Sequence, residues 1–317
     1  MHVRMLATGF ALAVFSTFAT AQYPDKPIRL VVPFATGGVA DLLARVVAQK
    51  ITEQTGKPVV VENKTGAGGR IGYEAGATAA PDGYTFVATD VTYTMMPALY
   101  STLPWNHADL VPVALLAQMP FVVVVNAKGK TTALSQVVAE AKANPKKLNY
   151  GSAGVGSVNH VVTELFARTA GVEMTHVPYR GMGEAMTALL GGTVDVLVTA
   201  MPTAMSQIKG GNVVALGVTS PQRSAALGSI PTTTEGGVAF VASNWIGLTS
   251  PRNTPKDAID WMQKSVSAAV ASPDVRERFL TQGAEPSGVG AEAFSKLMQS
   301  ETTRWGDVIR SSKITAE

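Results

Sequence analysis

Short apolar runs alternate along this chain with longer stretches whose apolar residues recur every three or four positions. Ile28 to Val32 is a β-branched run closed by Pro33. After it, Leu42, Leu43, Val46, Val47 and Ile51 fall on one helical face, and Gly56 supplies a stop. Val59 to Val61 and Thr85 to Ala88 read as further strands, the second entered through the turn Pro81-Asp82-Gly83. The alternation continues with strands at Val122 to Val125, Leu148 to Tyr150, Thr175 to Pro178, Val194 to Val198 and Val213 to Val218. Helices are predicted between them at Ala133 to Ala143, Asn159 to Thr169 and Glu184 to Leu190. Strands interleaved with helices predict an α/β fold. From about Lys256 the pattern is helical only. That segment has no sheet of its own to cover, so it is expected to return to the first part of the fold.

Composition narrows the class. The 317 residues are 46% hydrophobic, enough for a packed core and about two domains. Charged residues make up 15% and the formal net charge is +3. Lysines and arginines are scattered, so the basic stripe of a nucleic-acid binder is missing and no nucleic-acid partner is expected. The first residues read as an export signal. Arg4, with His2, opens a charge-free apolar run from Leu6 to Phe18, and Ala19-Thr20-Ala21 is an A-x-A cleavage site. The apolar run is too short to span a bilayer, which needs about 20 residues. The sequence contains no cysteine, which rules out a lipid-modified cysteine and disulfides alike.

Three loops carry the candidate chemistry. They are Phe34-Ala35-Thr36-Gly37-Gly38 running to Asp41, Gly151-Ser152-Ala153-Gly154-Val155-Gly156-Ser157, and Tyr179-Arg180-Gly181-Met182-Gly183. Each follows a strand, is rich in glycine, and opens a helix. A helix N-terminus offers unpaired N–H groups and partial positive charge, and glycine lets an anion approach the backbone. In open α/β sheets such loops sit at the carboxyl ends of strands, where ligands bind. Competing motifs fail on spacing. In Gly66-Ala67-Gly68-Gly69-Arg70-Ile71, the third glycine of a dinucleotide fingerprint would fall on Ile71. The glycine that a P-loop ending in Gly129-Lys130-Thr131 would need is Val124. No G-x-S-x-G elbow is present, and His107, His160 and His176 lack metal-site spacing, so no cofactor is expected. His160 and Glu164 stand one helical turn apart and read as a local hydrogen bond or pocket wall.

Several segments, in order, resemble one family. They are Tyr23-Pro24-Asp25-Lys26-Pro27-Ile28-Arg29, Val31-Val32-Pro33-Phe34, Val59-Val60-Val61-Glu62-Asn63 with Gly66-Ala67-Gly68-Gly69, and Pro81-Asp82-Gly83-Tyr84-Thr85. Tyr150-Gly151-Ser152 through Ser157 and His160, His176-Val177-Pro178-Tyr179, Gly191-Gly192 with Val194-Asp195, Arg223-Ser224, Pro231-Thr232 with Glu235, and Glu301 through Trp305 complete the set. Together they are similar to the substrate-binding proteins of tripartite tricarboxylate transporters, the Bug family.

The resemblance implies a two-lobed periplasmic binding protein fold of type II, each lobe a sheet flanked by helices, with a ligand cleft between them. The expected division is a signal at 1–21, one lobe from 22–122 plus 247–317, and a second from 123–246. The implied role is a monomeric, non-enzymatic periplasmic receptor that clamps a small organic anion and passes it to membrane permease subunits. The residues carried over are Phe34, Ala35, Thr36, Gly37, Gly38 and Asp41 on the first lobe, and Ser152, Gly154, Gly156, Ser157 and His160 on the second. Tyr179, Thr199 and Ala200 complete the second wall, and Thr89 and Asp90 follow the third strand. Three positions depart from the family pattern. Thr36 stands where proline is usual, Asp90 brings an acid into a loop near the cleft, and Glu184 begins a helix where a small residue is common. Asp90 would repel a carboxylate or pair with an ammonium group, or else cap its helix. The rival readings are a hydrolase or transferase of this architecture, with Ser157 and His160 as its only catalytic pair, and a sensor subunit of a signalling system.

The A-x-A site generates the first prediction. Protein recovered from the periplasm should have an intact mass beginning at Gln22 or its cyclised form, and a full-length membrane-retained species would overturn the export reading.

Overall fold

The computed structural model describes residues 23–312 and 314–316. The signal-like residues 1–21 and their cleavage site lie outside the described residues. In chain order the elements are β1 (Ile28–Val32), α1 (Val39–Thr55), β2 (Val59–Asn63), α2 (Arg70–Ala77), β3 (Thr85–Asp90), α3 (Val91–Leu99) and β4 (Leu110–Asn126). Next come α4 (Leu134–Ala143), β5 (Asn149–Ser152), α5 (Val158–Ala170), β6 (Thr175–Pro178), α6 (Met182–Gly191), β7 (Val196–Ala200), α7 (Met201–Lys209) and β8 (Val213–Val218). The chain finishes with β9 (Ser243–Pro251), α8 (Lys256–Ala271), α9 (Pro273–Thr281), β10 (Glu285–Pro286) and α10 (Ala291–Ser312).

One curled mixed sheet runs β2-β1-β3-β9-β4-β7-β5-β6, with β8 and β10 also paired to β4. Its two halves are each locally parallel, β2-β1-β3 and β7-β5-β6. They meet on β4, which is 17 residues long. From Leu110 to Pro120 it lies antiparallel to β9, and from Phe121 to Val125 it lies antiparallel to β7. The pairing switches at Pro120, which has no N–H to donate to a ladder. Thr219 fastens the spot. Its hydroxyl accepts from the N–H of Phe121 at 2.9 Å and donates to the carbonyl of Ala242 at 2.6 Å. Its own N–H donates to the carbonyl of Phe121 at 2.9 Å.

Alternation along the strands separates two cores. Leu30, Val32, Val122 and Val124 face α1, α6, α7, α8 and α9. Val31, Phe121, Val123 and Val125 face α2, α3, α4, α5 and α10. Both cores run across both halves of the sheet, giving helix–sheet–helix layers throughout. The C-terminal helices return to the first half as expected, since α8 packs on α1 and β4, and α10 on α3 and β4.

Periodicity located the βα repeats but missed β9 and most of β4. A central strand buried on both faces shows no alternation. In β9 all but Ser243 is buried, yet it carries Asn244, Gly247, Thr249, Ser250 and Pro251. In β4 the pairing steps out of register between Pro112 and Ala114 and again between Leu115 and Ala117, so bulges absorb a proline that would otherwise end a strand. Residues 201–209, passed over in the sequence, form α7 with Pro202 in its first turn.

Gly247 sets how closely α10 lies on β9. A Cβ there would stand 2.2 Å from Cζ of the buried Phe294 ring, which is itself edge-on to Trp245. Gly247→Ala should cost about 1–3 kcal/mol by forcing that ring aside, read as a lowered urea midpoint at unchanged m-value.

Candidate functional site

The carboxyl ends of β1, β3, β5 and β7 and the start of β9 surround a cavity of about 20 Å3. Phe34, Gly38, Val39 and Ala40 line it from the β1–α1 junction, and Asp90 from the β3–α3 junction. Ala153, Val158 and Asn159 approach from the β5–α5 junction, Met182 from α6, Thr199, Ala200 and Thr203 from the β7–α7 junction, and Asn244 from β9. The first turns of four helices therefore converge with Asp90, the N-cap of a fifth. Asp90 caps α3 and Ser157 caps α5 with their side chains. The other three helices, α1, α6 and α7, begin on Gly38, Gly181 and Ala200 with no side-chain cap. Their first-turn amides and dipole ends are thus available to an anion.

The polar lining points the same way. Thr199 Oγ1, Thr203 Oγ1 and Asn244 Nδ2 are buried and make no hydrogen bond within the protein. Such orphans are uncommon and costly unless something outside the protein meets them. Among the described residues lining the cavity, Asp90 is the one ionisable side chain. It accepts from Tyr73 Oη at 2.7 Å and from the Thr92 N–H at 2.9 Å. Burial nonetheless pushes its carboxyl up to about 6, with hydrogen bonds from Tyr73 and from the Thr92 hydroxyl and N–H opposing the rise.

The two halves touch around this cavity. The Val158 N–H of α5 donates to Thr92 Oγ1 of α3 at 2.9 Å. Gly68 (φ 62°) lies against the carbonyl of Val155, where a Cβ would come within 2.3 Å of the oxygen. Ala35 lies against Gly181, and the carbonyl of Thr36 faces Gly183.

Of the residues singled out in the sequence, Phe34, Gly38, Asp90, Thr199 and Ala200 line the cavity. Others do not reach it, and each has a local reason. Asp41 is spent on its own loop, accepting from the Gly37 N–H at 3.1 Å and from Arg45 and Asn63 at 2.9 Å each. Ala35 and Thr36 contact the opposite glycine loop, and Thr89 donates to the carbonyl of Gly247. Gly154 packs on Gly68, and the Tyr179 N–H donates to the carbonyl of Ser152. Gly156 has φ 77°, its N–H is taken by His160 Nδ1 at 3.1 Å, and a Cβ on it would point at Tyr100 and Ala316. Ser157 accepts from the backbone of His160, not from its ring, so the suggested serine–histidine pair does not form. Glu184 accepts from the Arg180 N–H as a turn cap.

A different pair does form. Ser152 Oγ is 2.6 Å from His176 Nε2, and the His176 ring stacks at 4.1 Å on His160. Burial holds both imidazoles down at about 4, with His160 adding to the effect on His176. Ser152 is fully buried and is not among the residues lining the cavity, and its contact with His176 ties β5 to β6. Met182 falls inside the third candidate loop, whereas Thr203 and Asn244 were not foreseen. Thr203 stands at a helix start, a position the loop pattern could have flagged, and Asn244 lies in the strand that periodicity missed.

The raised Asp90 carboxyl fixes a sign. Its folded value exceeds the unfolded value of about 4, so its contribution is fully present below pH 4 and is lost as pH rises through 6. Asp90→Asn keeps an acceptor for Tyr73 and Thr92 and removes the titration. The stability of the native protein relative to this variant should fall by about 3 kcal/mol between pH 4 and pH 7 in urea titrations. A constant difference would show that the carboxyl is not held in a charge-averse site.

Solved structures of similar overall shape include two with bound carboxylates. The chain is 32% identical to the periplasmic binding protein BugD, covering 92% of this chain and 99% of that one, with a TM-score of 0.88. It is 30% identical to Rpa4515 of R. palustris with adipate, over 92% and 99% of the two chains, with a TM-score of 0.89. It is 31% identical to MatC of Rhodopseudomonas palustris with bound malate, over 90% and 100%, with a TM-score of 0.85. The model of the tripartite tricarboxylate transporter family receptor matches residues 43–314. With that match across nearly all of the two-lobed fold, the chain belongs to the tripartite tricarboxylate transporter receptor family.

Proposed function

We propose that this protein is a periplasmic receptor that closes on a small organic carboxylate and delivers it to the membrane subunits of a tripartite tricarboxylate-type transporter. The observation that carries the reading is the convergence of three helix N-termini without side-chain caps on a cavity holding three unpartnered hydrogen-bonding atoms. Such a lining offers donors and partial positive charge with no basic side chain, which suits a carboxylate that must be released again. The adipate and malate bound by the two R. palustris relatives lend support to the ligand class. The family membership and the signal-like N-terminus support the place and the partner.

The moving bodies are 22–122 with 247–317, and 123–246, which hinge where β4 and the Thr219–Ser243 segment cross between the half-sheets. At about 20 Å3 the cavity has room for little more than one water, so a dicarboxylate enters by parting the lobes and shifts the population between open and closed forms. The carboxylate is taken by the amides that open α1, α6 and α7, with Thr199, Thr203 and Asn244 orienting the rest. A hydrolase or transferase reading gains nothing, because neither partner of the serine–histidine contact present lines the cavity.

Two measurements test this. Malate, adipate and related acids at about 100 times their dissociation constant should stabilise the fold by roughly 2.7 kcal/mol in a thermal-shift screen, and recovered ligand should be chemically unchanged. Thr199→Val removes an unpartnered hydroxyl from a β-branched site of the same shape. It should leave the free protein as stable or about 1 kcal/mol more so, while weakening the best ligand about five- to tenfold in calorimetric titration. Unchanged affinity in the valine protein would remove this wall from the site.

A further inference from the structure

The cavity contains an acid where an anion receptor would be expected to avoid one. Asp90 ends β3, is 3% exposed, and lines the same space as the open N-termini of α1, α6 and α7. The hydrogen bonds from Tyr73 Oη and the Thr92 N–H both land on Oδ1, and the Thr92 hydroxyl lies against the same carboxyl. Oδ2 takes neither of those two bonds and is the oxygen left to a ligand in the cavity. No lysine, arginine or histidine among the described residues lines the cavity to offset it. Tyr73 is the titratable group in contact with Asp90, and Tyr93 lies edge-on to Tyr73 with ring centroids 5.1 Å apart. Both are neutral phenols that burial keeps protonated. The site thus has two electrostatic poles. One is the set of helix N-termini, and the other is a carboxylate on the opposing β3–α3 junction.

We propose that Asp90 is a specificity-determining residue that selects ligands carrying an ammonium group beside their carboxylate, so that this receptor takes amino acids or similar zwitterions over plain diacids. The inference rests on the receptor reading above and sharpens its ligand class. A diacid brings two negative charges, and one of them must lie near the Asp90 carboxylate with no cation between them. A zwitterion matches both poles, its carboxylate at the helix ends and its ammonium on Oδ2. Thr199 and Thr203 hydroxyls and Asn244 Nδ2 remain for further polar groups. An ammonium at Oδ2 forms a charge-assisted hydrogen bond, the strongest kind a neutral amide could not replace.

The test is calorimetric titration of the full mature protein with matched pairs that differ by one ammonium, succinate against aspartate and glutarate against glutamate. The amino member of at least one pair should bind about ten- to a hundredfold more tightly. Its affinity should rise with pH through about 6, where Asp90 ionises, and then level off. Asp90→Asn, which keeps the acceptor for Tyr73 and Thr92, should erase the preference for the amino member while leaving the plain diacid as strong or stronger. The comparison of pairs and the pH series use the native protein, so they stand even if the variant folds poorly. Diacids that bind the native protein at least as tightly as their amino partners, with affinity falling as pH rises through 6, would overturn the proposal and leave the receptor reading standing. Failure of every carboxylate, amino or not, would overturn both.

Discussion

The amides at the start of a helix have no partner within that helix, and where they point decides much of this molecule. In α3 and α5 the chain supplies its own answer, with Asp90 and Ser157 as caps. In α1, α6 and α7 it does not, and all three open onto one enclosed space between the halves of the sheet. The glycine-rich loops, the short strands and the parallel order within each half follow from the need to bring those ends together. A βα unit delivers its helix start to the carboxyl edge of its strand. Two such half-sheets facing one another deliver a ring of them.

The second constraint is that the halves must separate without coming apart. Two crossings join them, and Pro120 and Thr219 mark where the pairing changes hands. Proline removes one ladder bond there, and the threonine hydroxyl replaces it with a side-chain bond. Away from the crossings the halves meet through glycine faces and scattered hydrogen bonds, among them Val158 to Thr92, Arg168 to Ser311 and Lys209 to Thr281, contacts that are easily remade. The stacked His160 and His176 stiffen one loop, with His160 Nδ1 accepting from the Gly156 N–H.

Sequence periodicity was a good guide to the βα units because each of their helices buries only one face. Gly56 closes α1 in the left-handed conformation, and Ser157 caps α5, both where the spacing placed them. The joining strands were illegible for the opposite reason. With both faces of β9 buried there is no polar face to mark it, and its Gly247 exists to admit Phe294. The candidate site was half readable. The loops do lie around the cavity at the carboxyl ends of their strands, but sequence cannot tell which side of a loop its side chains take. Asp41, Gly156 and His160 turned inward to brace their own loops, while Thr203 and Asn244, unremarkable as letters, face the cavity.

The place of β9 in the sheet also sets an order of events during synthesis. It lies between β3 and β4 and pairs with both, yet 123 to 162 residues of chain separate the paired positions, from Pro120 with Ser243 to Val87 with Thr249. Until Ser243–Pro251 has been made, β3 ends in an open edge, and until α8 and α10 follow, parts of both cores are bare. The second half-sheet, by contrast, has β5, β6, β7 and β8 in one unbroken stretch. A nascent chain therefore reaches its last fifth with one half able to close and the other waiting, which postpones completion of the fold almost to the final residue.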